Sequence, residues 1–165
     1  MTPLVLNIVN RLAPYRVEER NGEYFFWTEN DIEYSVEFRY EPVFGGSPAY
    51  WFSLTNLSRK ASPNDPKVRD TIIRIILEFF RCNPDIMLYM CDSANDQQAQ
   101  RNRLFLYWFM RTEESKLFYI KTEKVIDEGM ENFIAIIVPR NHPYLNIIIE
   151  RFDSEISLFR DNKPL

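Results

Sequence analysis

Residues 65–111 read DPKVRDTIIRIILEFFRCNPDIMLYMCDSANDQQAQRNRLFLYWFMR, and the succession they contain, helix then buried strand then helix, decides the fold. Asp65 before Pro66 predicts a helix start: the Asp carboxylate accepts a backbone N–H that has no helical partner, and proline has none to lose. Val68, Ile72, Ile75, Ile76 and Phe79 follow as an apolar stripe at helical spacing, widened by Ile73, Leu77 and Phe80. Lys67, Asp70, Arg74, Glu78 and Arg81 line the other side. Such a helix packs flat against a sheet. Asn83-Pro84-Asp85 ends it. Ile86–Cys91 is then apolar at every position, the pattern of a central strand covered on both faces. Ser93 and Asp96, spaced as a cap, open a second helix over about Asp96 to Arg111.

The preceding chain reads as antiparallel strands. Asn21-Gly22 is a strong short hairpin signal, because its turn needs positive φ at both positions. It joins an extended segment, Tyr15 to Arg20, to a strand over Glu23 to Thr28. Ile32, Tyr34, Val36, Phe38 and Tyr40 then alternate strictly with Glu33, Ser35, Glu37 and Arg39, so one face is buried and the other wet. Residues 41–49, with two prolines and two glycines, form a loop, and Tyr50 to Leu57 is a fourth strand. Residues 1–14 offer either a short amphipathic helix or a strand. Beyond the core stretch, Lys116–Lys121 and Glu131–Val138 predict a hairpin about Gly129. Leu145, Ile148, Ile149, Phe152, Ile156 and Phe159 predict a closing helix.

The expected fold class is therefore α+β: a single, mostly antiparallel sheet of about seven strands with three main helices packed on it. The element order is ββββ-α-β-α-ββ-α. One domain over residues 1–165 is expected, with 1–14 and 161–165 peripheral, and 165 residues suffice for a core without metals or disulfides.

Two resemblances bear on this reading. PKVRDTIIRIILEFF, LYMCDS and the residues Gln98, Arg101, Arg103, Leu104, Phe105, Trp108 and Phe109 together resemble a family of small Bacteroidota proteins, a domain of unknown function. The resemblance implies no activity. The element order also resembles that of the acetyl-coenzyme A-dependent N-acetyltransferases, which implies an acyl-transfer alternative. That family cradles the cofactor's pyrophosphate on a Gly-bearing loop at a helix start. The corresponding stretch here, Arg59 to Pro66, has no glycine and two prolines, so no cofactor is expected.

A net charge of -4 with mixed signs along the chain argues against nucleic acid as a partner. The two cysteines, Cys82 and Cys91, lack a metal or redox spacing and are expected as free thiols. No segment reads as a signal peptide or membrane span, so a cytoplasmic protein is expected. The single histidine, His142, rules out multi-histidine metal sites, and no catalytic set or metal site is assigned.

Two groups of residues remain as candidates. Asp92, Ser93, Asp96, Arg101 and Arg103 follow the end of the central strand, where α/β sites are often built. They read either as a ligand-binding cluster, in a small-molecule or nucleotide sensor, or as helix caps and ion pairs. The aromatic content, 15%, gives the second group. Phe25 and Trp27 alternate with Tyr24 and Phe26, so both faces of that strand are apolar. With Trp51, they are the candidate interface for a protein partner or self-association. The favoured reading is a non-catalytic interaction or oligomerising module.

Overall fold

A computed structural model describes residues 1–42, 47–61, 63–91, 106–127 and 129–161. Its elements are α1 (Leu6–Leu12), β1 (Glu18–Arg20), β2 (Glu23–Trp27), β3 (Glu33–Glu41), β4 (Ala49–Asn56), α2 (Pro66–Cys82) and β5 (Ile86–Cys91). Residues 106–110 are helical (α3). A 3₁₀ turn (Glu113–Leu117), β6 (Phe118–Asp127), β7 (Met130–Pro139) and α4 (Leu145–Asp161) complete the order. The strands form one seven-stranded sheet in the order β1-β2-β3-β4-β5-β7-β6. The class is α+β, as the residue patterns predict. The N-terminal segment resolves as a helix, the extended segment 15–20 is a strand only over Glu18–Arg20, and β6 starts later and runs further than its apolar pattern suggested.

The chain divides into two compact units, the first comprising residues 1–39 and 52–84, the second residues 40–51 and 85–165. In the first, Asn21 and Gly22 take φ of 53° and 83°, the left-handed pair that lets β1 turn tightly into β2. Tyr24 pairs with Val36 and Phe26 with Tyr34 across β2 and β3, all four buried. The α2 stripe lies on this face. Phe79 stacks on Phe38 with ring centroids 4.3 Å apart and planes 6° from parallel, and Phe38 touches Phe52 of β4 at 5.7 Å. Burying rings of this size is worth roughly 1.5–3 kcal/mol each, so this cluster carries much of the unit's stability.

Both ends of α2 are tied down. At the start, the Asp65 carboxylate accepts the Lys67 N–H at 2.9 Å, and its other oxygen accepts the Tyr15 hydroxyl at 2.5 Å. Burial and that hydrogen bond push the Tyr15 phenol up to about 12. The Thr71 hydroxyl, itself donating to the Lys67 carbonyl at 2.7 Å, accepts the Tyr15 N–H at 3.2 Å.

The end of α2 corrects one expectation. Glu78, assigned by spacing to the side of α2 away from the stripe, is buried at 3% exposure. The N-terminal segment lies over that side of the helix. Val5 N–H donates to Glu78 Oε1 at 3.1 Å, while Arg81 donates to both carboxylate oxygens at 2.8 and 2.7 Å. The Cys82 thiol, free of any disulfide, donates to the same Oε1 at 3.2 Å. Asn83 extends the seam, exchanging hydrogen bonds with the Thr2 backbone at 2.7 and 2.9 Å. The Tyr24 hydroxyl accepts the Leu4 N–H at 3.0 Å.

In the second unit, β7 lies between β5 and β6, antiparallel to both, with Gly129 at φ 80° in the β6–β7 turn. Ile86, Leu88, Ile134, Ile136 and Val138 form a cluster with Ala49, Val125, and Ile148 and Phe152 of α4. The apolar run of β5 is thus explained: Ile86 and Leu88 meet this cluster, and Met87 and Tyr89, alternating with them, are also buried. Lys121 of β6 bridges Asp153 of α4 at 2.5 Å.

The Arg81 guanidinium holds the Glu78 carboxyl below the usual glutamate range. Its stabilising contribution is therefore complete above the unfolded value, ~4.3, and is lost as pH falls from there through the lowered folded value. Glu78→Gln is expected to cost roughly 1–3 kcal/mol at pH 7. In urea denaturation at decreasing pH, the gap between wild type and variant should close below about pH 4. A gap unchanged at pH 3 would show that the charge is not what anchors the segment. At the other end of α2, a double-mutant cycle of Tyr15→Phe and Asp65→Ala should return a coupling of about 0.5–3 kcal/mol. Strict additivity would mean that the Tyr15–Asp65 hydrogen bond contributes nothing.

Candidate functional site

Of the residues singled out in the sequence, Asp92, Ser93, Asp96, Arg101 and Arg103 lie outside the described residues. The aromatic group is described, and it falls into two places. Phe25 and Trp27 belong to the first unit and Trp51 to the second.

Strand alternation places Phe25 and Trp27 on the side of β2 opposite the buried Tyr24 and Phe26. Phe25 is half-buried and Trp27 is 40% exposed. Their cross-strand neighbours are Glu18 for Phe25 on β1, and Ser35 for Phe25 and Glu33 for Trp27 on β3. The Arg20 guanidinium lies over both rings, 4.6 Å from the Phe25 centroid and 5.0 Å from that of Trp27. It also reaches Glu33 at 3.8 Å. A cation over two ring faces is an attractive arrangement that needs no full burial. Carboxylates surround it: Glu18, Glu23, Glu33 and Glu37 share this face with Arg20 and Arg39 as its basic residues, by the pairing and alternation of the strands. The result is an aromatic pair under one arginine, set in an acidic field.

Trp51 has different surroundings. It is half-buried, packs against the α4-side cluster of the second unit, and donates its indole N–H to Glu41 Oε2 at 2.7 Å.

The structure also assembles a group that the sequence did not connect: Tyr40, Tyr50, Asp85 and His142. All four lie in the second unit. The Tyr40 and Tyr50 ring centroids are 5.8 Å apart with planes tilted by 60°. Ile86 N–H donates to the Pro48 carbonyl at 3.1 Å, which brings Asp85 beside the start of β4. On its other flank, the β5–β7 register with Met87 opposite Ile137 sets Asp85 level with Pro139, whose carbonyl accepts the His142 N–H at 3.0 Å. Burial raises the Asp85 carboxyl, which feels the His142 ring, and also raises the Tyr50 phenol, which feels Asp85. Burial lowers His142. Its Nδ1 accepts the Tyr144 N–H at 3.1 Å, so in the neutral ring the proton sits on Nε2. The one signal available in the sequence was the presence of a single histidine. Residues 50, 85 and 142 share no spacing that would pair them.

Among the described residues, no group of three His, Cys, Asp or Glu side chains comes together to hold a metal ion. Among the same residues, no helix is long and apolar enough to cross a membrane.

No curated protein matches the chain in sequence. A model for a family of unknown function, DUF6169, matches residues 64–154, from the cap of α2 into α4. That match covers more than half of the chain, and the protein belongs to this family.

Proposed function

We propose that this protein is a non-catalytic interaction module that docks a basic segment of another protein on the outer face of β1, β2 and β3. The observation that carries this reading is the aromatic pair Phe25 and Trp27, held on the strand face turned away from the core. Large rings on a wet strand face add little to folding, and an apolar patch with a polar rim is what a docking surface needs. The charge chooses the partner. Glu18, Glu23, Glu33 and Glu37 outnumber Arg20 and Arg39 on this face, so a second copy of the same face meets repulsion, whereas lysine- and arginine-bearing segments meet attraction. An incoming guanidinium or ammonium can take the place over the Phe25 and Trp27 rings that Arg20 occupies. The free Cys82 thiol fits a reducing, cytoplasmic setting for such a module.

The test is fluorescence anisotropy of a labelled peptide of alternating lysine and leucine, with light scattering on the protein alone. Saturable binding is expected, weakening with added salt, and at least tenfold weaker (~1.4 kcal/mol) in the Phe25→Thr/Trp27→Thr variant, which should keep the wild-type melting temperature. A dimer that the double variant converts to monomer would replace the foreign partner by a second copy. A monomer that binds no peptide would overturn the docking reading.

A further inference from the structure

Independently of the aromatic face of β2, we propose that β6 pairs with β6 of a second copy of this chain, antiparallel and about a twofold axis at Thr122. Two open observations carry it, a long unpaired edge and a charge pattern on that edge that is complementary to itself. The sheet ends on one side in β1, three residues long, and on the other in β6, ten residues long. Exposed edges are commonly kept short, or interrupted by proline or a bulge. β6 contains no proline, and its register with β7 runs unbroken from Phe118 opposite Pro139 to Asp127 opposite Met130. Among the described residues, no strand lies beyond it.

The register with β7 settles which backbone groups look outward. The Leu117 carbonyl accepts the N–H of Arg140, the residue directly opposite, at 2.9 Å. Along an antiparallel strand the backbone groups of successive residues point to alternate sides. Tyr119, Lys121, Glu123 and Val125 therefore bond towards β7, and Ile120, Thr122 and Ile126 turn their N–H and C=O groups away from the sheet.

The side chains choose the occupant. A twofold axis at a residue sets that residue opposite its own copy, and like charges directly opposite are unfavourable. An axis at Lys121, Glu123 or Lys124 fails for this reason. An axis between two residues sets inward-turned backbone groups against outward-turned ones, and an axis nearer either end shortens the overlap. An axis at Thr122 sets Lys121 of each copy opposite Glu123 of the other, twice by symmetry. Within one chain Lys121 already reaches Glu123 at 3.7 Å, so the second copy closes an alternating square of two lysines and two glutamates. The same register places Tyr119 opposite Val125, and Ile126, 47% exposed, opposite Phe118. Lysines on an edge discourage foreign strands, and here their spacing leaves the strand's own copy as the matching one.

Sedimentation velocity of the full chain, from micromolar to millimolar concentration, tests the pairing. A dimer is expected, and it should persist in the Phe25→Thr/Trp27→Thr variant. Glu123→Lys and Lys121→Glu each set like charges opposite at both symmetric places, and each should raise the dissociation constant at least tenfold (~1.4 kcal/mol). An equimolar mixture of these two variants puts opposite charges together again and should restore the dimer. Thr122→Pro removes an outward N–H, a change that an edge strand accepts, and should give a folded monomer by circular dichroism. The charge variants keep the test open if Thr122→Pro does not fold. The proposal is overturned if the wild type is a monomer throughout the range, or if the dimer is equally tight in every folded β6 variant. It is equally overturned if the mixture is no tighter than either charge variant alone, or if the dimer is lost in Phe25→Thr/Trp27→Thr.

Discussion

The face-to-face contact of Phe79 with Phe38, 4.3 Å between centroids, is the interaction on which the first unit depends. A helix that lies on a sheet through aromatic rings must be fixed in rotation as well as in position. A turn of one residue, about 100°, would replace the stacked ring by a neighbour. The surrounding rings limit that freedom: Phe80 meets Phe79 edge-on at 5.2 Å, and Phe38 is held between Tyr24 and Phe52. The polar ties at the two ends of α2 then set its orientation. Tyr15 and Asp65 hold the start, and Glu78 and Asn83 hold the end against the first residues of the chain. Apolar packing gives this unit its stability, and the end ties give it one arrangement.

Glu78 shows how a charge can be buried at tolerable cost. Taking a carboxylate out of water is expensive unless its lone pairs are answered. Here a two-point arginine, a backbone N–H and a thiol answer them. Arg81 keeps half of its side chain in water, so its own desolvation is limited. The Val5 N–H stands at the N-cap position of α1, outside that helix's own hydrogen-bond ladder. One side chain therefore meets a need of α2, of Arg81 and of the N-terminal segment together.

Much of this was legible in the residues. The alternation from Ile32 to Tyr40, the Asn21-Gly22 turn, the Asp65-Pro66 start and the unbroken apolar run Ile86–Cys91 each follow from a local steric or solvation rule, and each appears as an element in the structure. Glu78 was not legible. Helical spacing tells which residues share a side of α2, but not that residues 2–5 return over the side carrying its charges. Such a contact joins positions 73 residues apart. The same limit hid Tyr15, whose partners Asp65 and Thr71 lie 50 and 56 residues away. For the candidate sites the contrast is similar. Phe25 and Trp27 could be found because alternation within one strand assigns them to the face away from the core. Asp85 could not, since its sequence role as a helix breaker conceals its place between two strand ends.

Two carboxylates near the connection from α2 to β5, Glu78 in the last turns of the helix and Asp85 just before the strand, meet different surroundings. Glu78 is fully buried, answered on both oxygens, and held below the glutamate range. Asp85 is only half-buried, yet burial outweighs the positive charge near it and raises its carboxyl. Hydrogen bonds to the ionised form, not depth, therefore decide which of the two carboxylates the fold favours as an anion.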